Sequence, residues 1–224
     1  MEAIFAGGIF RRAKEPTVLY YVRISANING NMRKKRVLVF LGDSDNEKTS
    51  CGGFADAYER GAREAGHEVR RVNIGEMKFD PILHHGYRII QPLEPDLLKL
   101  QDDFRWAEHI ALFYPNWWGT MPAILKGLFD RFYIPGFAFR FNKNGFGWHA
   151  LLKGRTAHVF IAMGSSPWIQ RLLFGDNSNE IRSAILGFAG IRTTVTKIGG
   201  MKNVSPERRA RLEKKFLRWG ANAD

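Results

Sequence analysis

Cysteine is almost absent from this sequence, since Cys51 is the only one among its 224 residues. A single thiol excludes an intramolecular disulfide and any metal site built from several cysteines, and it favours a reducing, cytoplasmic setting. Long apolar runs are absent too, because no stretch approaches the roughly 18 residues that span a bilayer. The N-terminal stretch MEAIFAGGIFRRAK lacks a basic region ahead of its short apolar patch and is not typical of a secretory signal.

Acidic residues are scarce relative to basic ones: 22 aspartates and glutamates face 34 lysines and arginines, which leaves a net charge of +12. The basic residues cluster at 33–36 and again between 208 and 218. This excess is compatible with a nucleic-acid or membrane-surface partner. Because no nucleic-acid-binding signature accompanies it, we favour a solvated basic surface that also attracts anionic small molecules.

The first 31 residues show no clear hydrophobic period and contain the turn-rich stretch NINGN. At Met32 the pattern changes abruptly, because basic residues are followed at once by a continuous apolar run. We therefore expect residues 1–31 to form a flexible N-terminal extension and residues 32–224 to form one domain.

Within that domain, short apolar runs alternate with helical patterns. An unbroken run of large and β-branched residues is typical of a strand buried on both faces, and residues 37–41 form such a run. Further strands are predicted at 67–74, 109–114, 157–162 and 193–198. Helices are predicted from an N-cap at Ser50 to a stop at Gly66, over 95–108, from Met121-Pro122 with the proline in the first turn, up to about residue 189, and from Ser205 onward. The alternation predicts a doubly wound five-stranded parallel sheet with helices on both faces.

Ligands of such sheets bind beyond the carboxyl ends of the strands, where three loops depart from simple connectors. The first loop begins a helix with free amides and hydroxyls, which are typical of a phosphate cradle, in the run Thr49, Ser50, Cys51 and Gly52. An ordinary capped helix would need the same residues. The loop matches neither GxxxxGK[ST] nor GxGxxG, no arginine follows Cys51 closely enough to support a nucleophile, and Asp43, Asp45 and Glu47 oppose an anion unless they point outward.

The second loop, PNWWG, places Trp117 and Trp118 at a strand end, and the third, MGSSPW, is rich in backbone amides. Phosphate held by the first loop and a flat ring across the other two together suit a flavin. The alternative interpretation is that both tryptophans are ordinary core residues.

The stretch YPNWWGTMPAILKGLFDRFYIPGFAF (114–139) resembles the NAD(P)H:quinone oxidoreductases, the DT-diaphorase-like branch of the flavodoxin-like proteins. TSCG after the first strand and GSSP after the fourth strengthen the resemblance, which extends over about 36–198. It implies a flavodoxin-like fold, bound FMN or FAD, an NADH or NADPH donor, and two-electron, ping-pong reduction of quinones or similar acceptors by a homodimer.

The resemblance also implies roles for individual residues. Phosphate contacts fall on Asp45, Thr49, Ser50, Cys51 and Gly52. Contacts to the flavin ring fall on Pro115, Asn116, Trp117, Trp118, Met163, Gly164 and Ser165, and the amides of Gly164 to Ser166 would stabilise negative charge on the reduced ring. Substrate-binding aromatics from the other subunit fall on Phe139 and Phe141. This sequence departs from the family at 164–180, which contains neither the tyrosine nor the histidine expected there, and at Phe139 and Phe141, where tyrosines are usual.

Two alternatives belong to other functional classes. One is a one-electron carrier like flavodoxin, which requires an open flavin edge, whereas the aromatic segment 137–148 predicts a covered one. The other is an ancillary subunit of a glutathione-gated potassium efflux system, because such subunits resemble this family as well.

Overall fold

The five predicted strands pair in parallel in the computed structural model, which describes residues 33–45, 49–144 and 146–223. The strands are β1 (Arg36–Leu41), β2 (Glu68–Asn73), β3 (His109–Pro115), β4 (Phe139–Phe141), β5 (Trp148–Ala150), β6 (Thr156–Ala162) and β7 (Arg192–Ile198). The main sheet has the order β2-β1-β3-β6-β7, which confirms the doubly wound, flavodoxin-like arrangement. The predicted extension at 1–31 lies outside the described residues, as does Glu47.

Within the described part of the chain, five α-helices accompany the strands: α1 (Ser50–Glu64), α2 (Pro95–Trp106), α3 (Ala123–Phe132), α4 (Pro167–Phe174) and α5 (Pro206–Asn222). The single helix predicted up to residue 189 is wrong, because α4 ends at Phe174 and a separate π-helical segment spans Glu180–Gly187. Gly175 separates the two at φ +79°, a backbone conformation that favours glycine. None of the helices within the described ranges is long and apolar enough to cross a membrane.

Alternate residues of the strands serve the two faces of the sheet. In β1, Val37, Val39 and Leu41 pack with α1 and α5, whereas Leu38 and Phe40 pack with the cluster that α2, α3 and the π-helical segment supply. Burial on both faces explains why this strand is a continuous apolar run in the sequence. Helices therefore cover both faces of the sheet, and the loops lie at the carboxyl ends of its strands.

Helices α1 and α5 cross at unusually close range because each contributes a glycine. A Cβ atom at Gly61 would lie 2.1 Å from the carbonyl oxygen of Leu217, and one at Gly220 would lie 2.0 Å from that of Tyr58. Any side chain at either position would therefore collide with backbone.

Two helix starts differ slightly from the prediction. The N-cap of α1 is Thr49 and not Ser50, because the Thr49 side chain accepts a hydrogen bond from the Gly52 amide at 3.0 Å. Helix α3 begins at Ala123, with Pro122 in the N-cap position. At the other end of α1, Gly66 at φ +83° follows the C-cap residue, as predicted for a glycine stop.

The antiparallel hairpin of β4 and β5 was not predicted. It follows α3 and carries an aromatic cluster, in which Phe139 and Phe141 meet edge to face at 5.1 Å and Trp148 stacks on Phe188 at 4.3 Å. The Trp148 indole also donates a hydrogen bond to the Phe188 carbonyl at 2.9 Å. These contacts attach the hairpin to the residues that follow the π-helical segment.

Candidate functional site

The three predicted loops leave the sheet from β1, β3 and β6, which are adjacent strands. Each loop is hydrogen-bonded to the neighbouring strand as it departs: Gly42 donates to Phe113 at 2.7 Å, Asn116 to Ala162 at 2.7 Å and Met163 to Ile198 at 2.9 Å. The loops therefore lie side by side at one edge of the sheet, where the fold places a ligand.

The first loop offers backbone donors more than side chains. The Thr49 hydroxyl caps the helix by accepting a hydrogen bond from the Gly52 amide, so the amides of Ser50 and Cys51 remain as first-turn donors without an intrahelical acceptor. The Ser50 side chain is half-buried. These two amides, with the N-terminal end of the α1 dipole, can hold a phosphate.

The acidic residues of this loop divide into two. Asp45 is exposed, whereas Asp43 is buried and its carboxylate accepts a hydrogen bond from the Asp45 amide at 3.3 Å. Burial and, to a lesser extent, the charge of Asp43 raise the pKa of the Cys51 thiol above its usual range. The protonated, buried thiol cannot act as a nucleophile at neutral pH.

The tryptophan pair lies in a tight turn at the end of β3, whose last residue is Pro115. Trp117 and Thr120 exchange backbone hydrogen bonds of 2.9 and 3.1 Å, while Trp118 and Gly119 have φ values of +51° and +88°. Positive φ at both central residues is typical of a type I′ turn, and for a tryptophan it costs about 1–2 kcal/mol. The Trp118 side chain is fully exposed and that of Trp117 is about half exposed. The core interpretation of Trp118 is therefore wrong.

Both ends of this turn are held by residues that the sequence did not single out. Asn177 donates to the side-chain oxygen of Asn116 at 2.7 Å, and the Thr120 hydroxyl donates to Glu180 at 2.7 Å. We name residues 176–180, which follow α4 in the sequence, the bracket, because they contact both ends of the turn.

The bracket is itself anchored to the sheet. Asp176 accepts hydrogen bonds from Lys197 of β7 at 2.7 Å and from the Ser178 hydroxyl at 2.6 Å. The Lys197 hydrogen bond, followed by that of Ser178, holds the pKa of Asp176 well below its usual range. The carboxylate is therefore ionised at neutral pH and ties the bracket to the sheet.

In the third loop, Met163 is buried, and its amide and carbonyl bond to Ile198 and Met201. It supports the loop and presents no free polar group. Gly164 and Ser165 are exposed, and Ser166 is half-buried ahead of α4. A Cβ atom at Gly164 would meet only Lys202, at 4.0 Å, so the backbone there is open to a ligand.

The predicted substrate aromatics lie apart from these loops in the chain, on the hairpin. Phe139 is half-buried against Phe188, with ring centroids 5.0 Å apart, whereas Phe141 is mostly exposed. An exposed aromatic ring on a well-held hairpin is available to a second molecule.

A family model described as the flavodoxin-like fold matches residues 35–223. The chain belongs to the flavodoxin-like fold family. This flavodoxin-like chain is 36% identical over 116 residues to an uncharacterized NAD(P)H oxidoreductase of Haemophilus influenzae, covering 50% of this chain and 56% of the relative. It is 34% identical over 83 residues to human ribosyldihydronicotinamide dehydrogenase [quinone], covering 37% of this chain and 35% of that protein. The chain thus spans about half or less of these curated relatives.

Among solved structures, the flavodoxin-like domain is similar to an NAD(P)H:quinone oxidoreductase from Methanothermobacter marburgensis, with a TM-score of 0.70 at 22% identity. That match covers 86% of this chain and 100% of the other. A Bacillus anthracis FMN-dependent NADH-azoreductase in complex with FMN gives a TM-score of 0.63 at 16% identity, over 84% and 98% of the two chains. At these identities the likeness supports the fold alone.

The residues present fit a flavin better than a metal ion. Free first-turn amides, an open glycine backbone at Gly164 and an outward indole at Trp118 match a phosphate and a flat heterocycle. No group of three or more histidines, cysteines, aspartates or glutamates within the described ranges is placed to hold a metal ion. Among the described residues of the first loop, the buried Asp43 opposes an anion.

The role of the bracket in holding the tryptophan turn can be tested without a ligand. Replacing Glu180 with alanine removes the acceptor of the Thr120 hydroxyl, and a hydrogen bond of this kind contributes about 1 kcal/mol. We expect the Trp117 and Thr120 amide hydrogens to exchange roughly fivefold faster in Glu180→Ala. Glu180→Gln retains an acceptor oxygen and is the matched control. Equal exchange in the wild type and in Glu180→Ala would show that the turn holds its shape unaided.

Proposed function

We propose that this protein is a cytoplasmic, flavin-dependent NAD(P)H oxidoreductase that passes two electrons from a nicotinamide donor to a quinone-like acceptor. The carrying observation is the outward, strained Trp118 turn, set between two amide-bearing loops at the carboxyl edge of a flavodoxin-like sheet. The names of the curated relatives describe oxidoreductases, which favours an enzyme over the electron-carrier and ancillary-subunit alternatives.

A bound flavin would supply the hydride chemistry, so this chain need provide no nucleophile. The amides of Ser50 and Cys51 would hold the phosphate, and Trp118 would pack against the ring. The amides of Gly164 and Ser165 would donate hydrogen bonds where negative charge collects on reduction, in the manner of an oxyanion hole. The net charge of +12 favours arrival of an anionic nucleotide donor.

We infer that neither Tyr114 nor residues 164–180 would deliver a proton to the acceptor. Tyr114 is buried at the end of β3, and burial, then the charge of Glu180, raise the pKa of its phenol above the usual range. The buried Tyr114 hydroxyl therefore would not donate its proton to a bound acceptor. Residues 164–180 contain no histidine or tyrosine that could do so instead.

We also propose that the active form is a homodimer, in which the hairpin of one subunit covers the site of the other. The exposed rings of Phe141 and Phe146 on this hairpin support the proposal. Light scattering should give twice the chain mass of 25.6 kDa. Full activity in a preparation that stays monomeric at assay concentration would contradict it.

The function is tested by the cofactor itself. The purified protein should be yellow, and mass spectrometry of the released compound should identify FMN or FAD. The holoprotein should oxidise NADH or NADPH faster when a benzoquinone is added. A colourless protein that takes up neither flavin on reconstitution would refute the proposal.

Trp118 provides a sharper test. Its truncation to alanine removes one stacking contact, worth about 0.5–1.5 kcal/mol beyond buried area, so flavin should bind roughly three- to tenfold more weakly. Because the side chain is exposed, the melting temperature of the apoprotein should hardly change. Trp118→Phe keeps an aromatic ring and should retain most of the affinity. Unchanged flavin affinity in Trp118→Ala would show that Trp118 does not contact the flavin.

A further inference from the structure

The hairpin of β4 and β5 carries aromatic side chains on one face and basic side chains on the other. Arg140 and His149 are directly opposite each other in the two strands, and Phe141 and Trp148 form the neighbouring pair. Successive side chains of a strand point to opposite faces. Arg140 and His149 therefore lie on the face opposite to Trp148, which stacks on Phe188.

A cavity of about 300 Å³ lies against this hairpin, and its size falls at the low end of the range for small-molecule sites. We name it the hairpin cavity; it is lined by Arg140, Phe141, Asn142, Lys143 and His149. Arginine offers a fork of donors, lysine an ammonium group and histidine a ring N–H. These are the side chains that bind phosphate and carboxylate groups in proteins.

No acidic side chain neutralises these basic residues within the described part of the chain. Residues 131–175 contain neither aspartate nor glutamate, and the same holds for residues 181–206. Among the described residues, no hydrogen bond or ion pair joins the side chain of Arg140, Lys143 or His149 to a carboxylate. Two basic side chains directly opposite each other do not stabilise a hairpin, so its stability does not account for them.

The backbone around the hairpin cavity is held in place without a ligand. The Leu151 amide donates to the Ala138 carbonyl at 3.0 Å at the base of the hairpin. Near its tip, the Asn142 amide donates to the Gly147 carbonyl at 3.2 Å, and the Asn142 side chain donates to the Phe146 carbonyl at 2.7 Å. An anion would therefore meet basic groups on a positioned backbone, which lowers the entropy cost of binding.

A phosphate group suits the hairpin cavity better than a carboxylate does. Phosphate has more oxygens and carries up to two charges, whereas a carboxylate has two oxygens and one charge. The arginine fork can bind two phosphate oxygens at once, which leaves another for lysine or histidine.

We propose that the hairpin cavity is a phosphate site and that its ligand is a phosphate group of the nicotinamide donor. The proposed homodimer brings the hairpin of one subunit over the site of the other, where the donor must place its nicotinamide. One ribose separates the nicotinamide from the diphosphate of NADH and NADPH, so a phosphate would lie near the covering hairpin. The source of the phosphate rests on the proposed function, whereas the phosphate site itself does not.

The site is tested by titrating the full chain with inorganic pyrophosphate and following the backbone amide signals of Asn142 and His149 by NMR. At about 0.15 M salt, charges more than about 8 Å apart are largely screened. The two signals should shift in the wild type, and their dissociation constant should rise roughly tenfold in Arg140→Gln/Lys143→Gln, because two charge-assisted contacts are lost.

The matched control is Arg209→Gln/Lys214→Gln, which removes the same charge from exposed positions of α5 and should bind like the wild type. Equal weakening in the two double variants would mean that net charge alone attracts the anion. Shifts confined to the Ser50 and Cys51 amides would place the anion in the first loop and contradict the proposal. This comparison uses the wild type alone, so it stands even if a variant fails to fold.

The source of the phosphate is tested by steady-state kinetics of the holoenzyme with two donors. Dihydronicotinamide riboside carries no phosphate, so Arg140→Gln/Lys143→Gln should raise the KM for NADPH or NADH at least roughly fivefold more than the KM for the riboside. Equal changes with both donors would overturn the assignment to the donor. A variant that loses pyrophosphate binding but keeps its KM for NADPH and NADH would show that the site takes free phosphate instead.

The two proposals fail in different ways. The NMR titration requires neither flavin nor turnover. A protein that binds pyrophosphate at the hairpin but takes up no flavin would retain the phosphate site and refute the proposed function. A yellow, active protein whose hairpin signals do not respond to pyrophosphate would do the reverse.

Discussion

Replacing Gly220 with alanine is expected to lower the free energy of unfolding by about 3 kcal/mol, the upper end of the usual cost of overpacking. The new Cβ atom would lie 2.0 Å from the Tyr58 carbonyl oxygen, which belongs to the backbone of α1 and not to a flexible side chain. Helices α1 and α5 must therefore separate, which opens the aromatic contacts between them, including the stacked rings of Phe54 and Phe216 at 4.5 Å.

Urea denaturation followed by circular dichroism measures this loss. The matched control is Gly53→Ala, because a Cβ atom at that position of α1 has nothing within 4 Å. Gly53→Ala should be neutral or stabilising by up to about 1 kcal/mol, since alanine favours helix. A loss below about 1 kcal/mol in Gly220→Ala would mean that the two helices move apart easily and that their close crossing is incidental.

Glu94→Ala should destabilise the protein by a similar amount, about 3 kcal/mol, because it leaves a buried cation without its partner. Arg131 of α3 is 1% exposed and is held by Glu94 at 2.8 Å, by the Pro92 carbonyl at 2.8 Å and by the carbonyl of Asp80. These bonds fasten the long connection between β2 and α2 to the core. The Glu94 carboxylate is partly exposed, which places the expected loss at the lower end for broken buried pairs.

The control is the double variant Glu94→Leu/Arg131→Met, which removes both charges at similar volume and should lose less stability than Glu94→Ala. If the double variant is the less stable of the two, the uncompensated cation is not the cause.

Lowering the pH should reduce the free energy of unfolding, as Glu94→Ala does. Burial alone would raise the pKa of Glu94, but hydrogen bonds from the Asp80 amide and from Arg131, with the charge of Arg131, lower it overall. Because the pKa of Glu94 is lower in the folded protein, the unfolded chain takes up a proton on this carboxylate at a higher pH than the folded chain does. The contribution of this pair is complete above about pH 4.5, the ordinary glutamate value, and is lost as the pH falls through the folded pKa.

The sequence predicted the sheet because strands buried on both faces leave continuous apolar runs, as in β1 and β3. The hairpin of β4 and β5 was missed because each strand has only three residues and no clear alternation. The sequence did not reveal that helix α4 faces outward: PWIQRLLF has the apolar content of a core helix, and nothing local indicates its orientation.

The candidate site, like the fold, has parts that the sequence predicted and parts that it did not. Strand ends followed by glycine, hydroxyl and aromatic residues indicated the three loops, since topology alone brings them to one edge. The bracket was not predictable, because Asn177 and Glu180 are about sixty residues from Asn116 and Thr120 and belong to no local motif. Nor did the sequence reveal that the Met163 side chain is buried, since a loop residue after a strand can point either way.

The positive φ of Trp118 has a consequence for how this protein would respond to laboratory evolution. Glycine or asparagine adopts that conformation at less cost, so selection for heat resistance alone should replace this tryptophan early. Selection for turnover should keep it. The position is thus one where stability and activity pull in opposite directions, and variants recovered under the two regimes should diverge there first.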